Sequence, residues 1–302
     1  MTLETSLCGI RLQNPVLAAS GTFGYGVEFA KQVDLNALGG FVVKGLSLEP
    51  IEGNPAPRLY ETRCGMMNSI GLQNIGVHAF AKEKLPALAQ LHTAVIANVF
   101  GYQSADYVEV VRVLEDHPGL AAYELNVSCP NTKHGGIYFS SDPTLLAEVI
   151  SAVKPIARRP VIVKLSPNVA AIEPLARAAA DAGADAISLV NTFIALAIDA
   201  RTRRPRLGAG FGGLSGPAIK PIALRLVYQA AQAVRIPLIG LGGIATGEDA
   251  AEFLIAGATA VEVGTANFWD PASPLRIARE LAAFCRRENI SSVQSLTGTL
   301  KM

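Results

Sequence analysis

Four cysteines stand in 302 residues, Cys8, Cys64, Cys129 and Cys285, and no two of them lie close together. Without a C-x-x-C spacing the chain offers no basis for a zinc site or an iron–sulfur cluster of its own, and no metal is expected. In a reducing compartment these are free thiols. Cys8 and Cys285 read as small buried hydrophobes, and Cys64 is left open. Long apolar runs are missing too. The longest span without Asp, Glu, Lys or Arg is 85–105, and Pro86, His92, Asn98 and Gly101 interrupt it, so no membrane-spanning helix is expected. Charge of one sign is also scarce, with a formal net of +1. The only tight basic cluster, Arg201, Arg203, Arg204 and Arg206, reads as a solvated loop, which argues against a nucleic-acid partner. The opening residues Met1, Thr2, Leu3, Glu4 and Thr5 lack the basic segment and apolar core of a secretion signal, so a cytoplasmic location is expected.

What the chain does have is apolar substance in a regular pattern. Half of its residues are hydrophobic, enough for a large core, and one domain over 1–302 is expected. Short β-rich runs at 16–20, 40–44, 94–99, 121–127, 161–165, 186–190, 238–241 and 260–263 alternate with stretches of helical period. Those stretches cover 79–91, 106–114, 143–157, 172–182, 217–233 and 247–256. Eight strands interleaved with helices predict an α/β fold, a closed (β/α)8 TIM barrel. Ser141-Asp142-Pro143 and Thr246-Gly247-Glu248-Asp249 carry the signals of helix starts. Two connections, 46–77 and 191–216, exceed ordinary βα loops and are rich in Gly, Pro and Asn. They are expected to form lids or walls over the C-terminal face.

Chemistry concentrates where strands end. In Glu124-Leu125-Asn126-Val127-Ser128-Cys129-Pro130-Asn131-Thr132 a buried-looking strand runs into a thiol between two carboxamides. Pro130 removes a backbone donor and pushes Cys129 toward an extended conformation, so the strand stops there. The other strand ends collect Ser20, Lys44, Asn98, Lys164 and Asn191. Buried lysines and carboxamides need partners. A network of core amides that satisfy one another would supply them, but six converging strand ends are explained better by a large polar ligand at the barrel mouth. After the seventh and eighth strands, Gly242-Gly243-Ile244 and Gly264-Thr265-Ala266 let backbone N–H groups approach an anion, the usual position of a barrel phosphate site. No GxGxxG fingerprint follows an early strand. One phosphate and a polar ring system beside two lysines suit FMN, with Lys164 at the pyrimidine edge, where it would stabilise the negative charge of the reduced ring. Cys129 then reads as the general base that takes a substrate proton. The rival role, a covalent nucleophile, needs a base-and-orienter pair, and His134, five positions on, keeps a Cys–His pair open.

These residues resemble the dihydroorotate dehydrogenase family, over nearly the whole chain. The matching motifs are Asn126-Val127-Ser128-Cys129-Pro130-Asn131, the loop Asn68-Ser69-Ile70-Gly71-Leu72, Lys44 after Gly40-Phe41-Val42-Val43, Lys164 within Val161-Ile162-Val163-Lys164-Leu165, and the paired glycine loops. The resemblance implies an FMN barrel that oxidises dihydroorotate to orotate in pyrimidine synthesis. Class 1 members use Cys where the membrane-bound class 2 members use Ser, so Cys129 implies class 1. The opening segment 3–26 looks most like the NAD-linked class 1B branch, whose members pair with an electron-transfer subunit carrying FAD and a two-iron two-sulfur cluster. A homodimer joined to that subunit, a heterotetramer, is therefore expected, with the link to NAD in the partner. By matching position, Ser20, Lys44, Gly45, Asn98, Asn126, Lys164, Val190, Gly216, Gly242, Gly243, Gly264 and Thr265 would hold FMN. Lys44, Asn68, Ser69, Ile70, Gly71, Leu72, Asn126, Asn191 and Thr192 would hold orotate. Gly45 departs from the pattern, since relatives often carry Ser or Thr there. Two alternatives stand beside this reading: a class 1A homodimer that passes electrons to fumarate, and a non-catalytic barrel that binds a flavin or nucleotide.

Overall fold

The computed structural model describes residues 1–127 and 136–302, the side chains of 136–138 excepted. Cys129, Asn131 and His134 lie outside the described residues. The chain opens with a hairpin, β1 (Thr5–Leu7) and β2 (Ile10–Leu12), before the first barrel strands, β3 (Val16–Ala18) and β4 (Gly40–Val42). Strands β5 (Leu59–Thr62) and β6 (Gly65–Asn68) leave the barrel, which resumes with β7 (Ala94–Val99), β8 (Ala122–Asn126), β9 (Val161–Lys164) and β10 (Ala186–Leu189). A second excursion holds β11 (Phe193–Leu196), β12 (Ile198–Asp199), β13 (Arg204–Pro205) and β14 (Phe211–Ser215). Strands β15 (Leu238–Leu241) and β16 (Ala260–Val263) then complete the ring. Eight parallel strands close in the order β10-β15-β16-β3-β4-β7-β8-β9. Each expected β-run contains one of them, so the (β/α)8 barrel read from the alternation is the fold observed.

The strands are apolar on both faces because helices cover the outside and side chains fill the inside. One inward residue from each barrel strand builds a dry layer: Leu17, Val42, Ile96, Ala122, Ile162, Ala186, Ile239 and Ala260. Leu7 and Leu12 of the hairpin join this cluster and close the barrel floor. Their hairpin turns through Cys8 and Gly9, both at positive φ, the backbone that a two-residue hairpin needs. Two residues further along, on the same face of each strand, the character changes. There β7, β8, β9, β10 and β16 present Asn98, Glu124, Lys164, Ser188 and Glu262, all buried.

Helix starts follow their caps. The Asp142 side chain accepts from the amides of Thr144 at 2.7 Å and Leu145 at 3.3 Å, and Thr246 and Asp249 form a capping box. The helix expected over 79–91 is instead two, Val77–Glu83 and Leu85–Leu88, because Pro86 has to sit in a first turn. A helix that the periodicity reading did not place, Ser273–Arg287, buries Ile277, Leu281 and Cys285 at four-residue spacing. Among the described residues no helix is long and apolar enough to cross a membrane. Cys285 lies in the core, Cys8 is half-buried with its thiol donating to the Asp185 carbonyl at 3.1 Å, and Cys64 is exposed.

The two long connections are not separate loops. Strands from both pair as one antiparallel sheet, β11-β14-β6-β5, with β12 and β13 as a smaller hairpin beside it. Arg201, Arg203, Arg204 and Arg206 are exposed around that hairpin, and Arg206 packs over the Tyr60 ring with 5.2 Å to its centroid.

Leu17 is fully enclosed in the dry layer. Leu17→Ala is expected to lower unfolding stability by about 3 kcal/mol, as a collapsed-core leucine does. Urea unfolding followed by circular dichroism checks this, and an unshifted midpoint would remove Leu17 from the barrel interior.

Candidate active site

A cavity of about 350 Å³ opens over the C-terminal ends of the barrel strands. All twelve positions expected to hold the flavin lie on its wall: Ser20, Lys44, Gly45, Asn98, Asn126, Lys164, Val190, Gly216, Gly242, Gly243, Gly264 and Thr265. Of the remaining positions expected for orotate, Asn68, Ile70, Leu72, Asn191 and Thr192 line it as well. Ser69 and Gly71 do not. The Ser69 side chain is enclosed, and its carbonyl accepts from Asn54 Nδ2 at 3.0 Å, so it belongs to the loop's frame. Gly71 and Leu72 both take positive φ, which turns the loop so that Leu72 faces the cavity while Gly71 packs against Asn54.

Strand geometry places these side chains. Lys164 pairs in register with Asn126 on one side and Ser188 on the other, so all three share a level at the top of the barrel. The Asn126 carbonyl accepts from the Tyr107 hydroxyl at 3.0 Å, and its side-chain oxygen accepts from Asn191 Nδ2 at 3.4 Å. The point where the chain departs toward Cys129 is thereby held from two sides. The excursion sheet supplies the outer wall through Met66, Asn68 and Ser215, and Asn168 holds Thr192 by donating to its carbonyl at 2.9 Å.

Among the described lining residues three are cations, Lys44, Arg58 and Lys164, and none is a carboxylate. Burial, and then the charge of Arg58, push the Lys44 ammonium below its ordinary value. Burial would lower Lys164 as well, but Glu124 and Glu262 beneath it outweigh that and hold it raised. The wall therefore suits anionic ligands, and it leaves room for a backbone-held phosphate. A Cβ built on Gly264 would meet nothing closer than 3.7 Å, and Gly242 and Gly243 take φ values of 130° and 80° that side chains disfavour. At Gly45 the space is filled, since a Cβ would stand 2.8 Å from Asn98 Oδ1 and 3.2 Å from the Phe100 ring. The Ser or Thr common at that position in relatives would need Asn98 to move.

Sequence reasoning missed Arg58, Glu124 and Glu262. Arg58 lies in an irregular stretch and reaches the site only through long-range pairing, its Nη2 donating to Gln73 Oε1 at 2.6 Å. No local pattern marks it. The two glutamates did carry a signal: each interrupts an apolar strand, where an acid needs a buried partner. Arg58→Gln is expected to raise the Lys44 pKa toward its ordinary value, as followed by NMR titration of labelled lysine side chains. An unmoved titration would show that the two cations do not sense each other.

Comparisons with known proteins agree with this geometry. The family model described as dihydroorotate dehydrogenase matches residues 2–285. A Solibacter usitatus protein named "Putative dihydroorotate dehydrogenase A (fumarate)" is 78% identical over 99% of this chain and 98% of its own length. Proteins of Geobacter sp. (strain M21) and Citrifermentans bemidjiense, each named "Dihydroorotate dehydrogenase B (NAD(+)), catalytic subunit", are 53% identical over the same shares. With the barrel, the cationic mouth and these matches together, the chain belongs to the dihydroorotate dehydrogenase family.

Proposed function

We propose that this chain oxidises dihydroorotate to orotate at the barrel mouth, with FMN as resident cofactor and Cys129 as the base. One observation carries the reading: a single wall gathers Lys44, Arg58 and Lys164 with Asn68, Asn98, Asn126 and Asn191, and among its described residues there is no carboxylate. Dihydroorotate is a carboxylate with an imide ring, and FMN carries a phosphate, so cations and carboxamides match both. FMN, when bound, supplies a two-electron acceptor. Backbone N–H groups at Gly242, Gly243, Gly264 and Thr265 would hold its phosphate. Ser20, Gly45, Asn98, Asn126, Lys164, Val190 and Gly216 would hold the rest, and the Lys164 ammonium would answer negative charge on the ring. Lys44 would bind the substrate carboxylate, while Asn68, Asn126, Asn191 and Thr192 match the imide edges and Ile70 and Leu72 give the ring an apolar wall. Ser69 and Gly71 act by shaping that loop. Cys129 follows Asn126 by three residues in the sequence, and as thiolate it would take the proton released as the substrate is oxidised.

Onward transfer to NAD through a partner subunit is the reading we favour. It is supported by the relatives named as NAD-linked catalytic subunits and by the missing dinucleotide fingerprint in this chain. That partner would carry FAD and a two-iron two-sulfur cluster and join a homodimer of this chain. A second reading, direct transfer to fumarate, is favoured by the name of the 78% identical relative. The isolated chain should reduce fumarate no faster than its background rate; rapid turnover with fumarate alone would establish the second reading instead.

The purified protein is expected to be yellow and to bleach when dihydroorotate is added without oxygen. A colourless protein that takes up no FMN, or a colour that dihydroorotate leaves unchanged, would overturn the function proposed. Cys129→Ala should slow the bleaching by about 100-fold to about 10,000-fold, the usual worth of a general base. A rate unchanged from the parent would remove Cys129 from that role.

A further inference from the structure

One level below the cavity floor two carboxyl groups meet one ammonium. Lys164 Nζ lies 3.4 Å from Glu124 Oε1, 3.4 Å from Glu262 Oε2 and 3.3 Å from Ser20 Oγ. All three charged residues are enclosed by protein. The carboxyl groups differ in what they receive. Glu124 Oε1 also accepts from Asn98 Nδ2 at 2.6 Å, and Glu124 Oε2 accepts from Ser188 Oγ at 2.7 Å. Glu262 has Lys164 on one oxygen, while its other oxygen, Oε1, is buried with no donor.

A buried carboxylate oxygen without a donor is costly, and two anions against one cation would leave a net charge of −1 in a dry interior. Among the described residues nothing nearby offsets it. Ser20, Asn98 and Ser188 are uncharged, and the layer beneath is the apolar one of Leu17, Val42, Ile96, Ala122, Ile162, Ala186, Ile239 and Ala260. Among the described residues the other charged side chains on the cavity are Lys44 and Arg58, set on its wall. A proton on Glu262 removes both penalties, and the Glu124 carboxylate, which meets the same Lys164 ammonium, is the acceptor at hand.

We propose that Glu124 and Glu262 hold one proton between them, on Glu262, and that the pair is a positioning device. It fixes the Lys164 ammonium at the cavity floor while the group as a whole carries no net charge. Burial, and then the charge on Glu124, push Glu262 up to about 8, while Lys164 and the donors from Glu262, Ser188 and Asn98 overcome burial to keep Glu124 lowered. The neutral form of Glu262 is the one that the fold favours. Its contribution to stability is full below the ordinary value of 4.5 and is lost as pH rises through about 8. Beyond that point the floor gains a negative charge, which would oppose electron uptake by a flavin above it. The consequence for redox chemistry rests on the function proposed above.

Two measurements on the purified flavoprotein test the proposal, with Glu262→Gln as the variant that locks in the neutral form. Infrared spectra should show a protonated-carboxyl carbonyl band below pH about 8 that fades above it, and the band should be absent from Glu262→Gln. The flavin midpoint potential should fall more steeply with pH in the parent than in the variant across the same point. No such band in the parent, or a band that survives the substitution, would overturn the shared proton; parallel potentials would overturn the positioning role. A protein that takes up no flavin overturns the flavin reading alone, and the infrared band still decides the proton.

Discussion

A lysine taken out of water inside a barrel has to be given anions, and that requirement organises the site. Lys164 ends β9 enclosed among side chains, so β8 contributes Glu124 and β16 contributes Glu262, and Glu124 in turn draws on Asn98 and Ser188. These groups form a polar layer that rests on a layer of eight apolar side chains, one from each strand, with the opening hairpin as plug. The apolar layer keeps water from the polar one and makes each of its electrostatic contacts stronger. Above it the cavity receives the positive end of the arrangement, because the acids lie below the floor and none of the described lining residues is acidic.

The mouth is finished by two excursions far apart in sequence. Strands β5 and β6 come from one and β11 and β14 from the other, and their pairing puts Asn68, Thr192 and Ser215 on a common wall. A sheet holds those side chains more firmly than two independent loops would, since each strand is registered by its neighbour. The same pairing carries Arg58 to the cavity beside Lys44, where burial and then like charge make that lysine easier to deprotonate. An anion bound between them would relieve the strain that their proximity imposes.

Much of this was legible in the residues. Short β-rich runs located all eight barrel strands and stretches of helical period most outer helices, because a parallel sheet buried on both faces must be apolar throughout. Polar residues at strand ends pointed to the mouth, and every flavin position carried over from the resemblance lies on the cavity wall. The excursion sheet was not legible, because its strands are short, include Gly212 and Gly213, and its two halves join across nearly 150 residues of chain, as in the Leu214–Met67 pairing, a separation no local pattern encodes. Ser69 was read as a substrate contact on its motif position, and its side chain is enclosed and does not line the cavity. Glu124 and Glu262 were visible as acids within apolar strands. Recognising them as one group required the barrel to close, since β8 and β16 are not neighbours in it.

We propose that the cationic mouth seats a flavin and an anionic planar substrate side by side. Titration of the FMN-loaded protein with orotate, watched through the visible spectrum of the flavin, tests this most directly. A saturable perturbation that weakens when Lys44 is replaced by Ala is the predicted result, whereas a spectrum indifferent to orotate at every concentration would contradict the account.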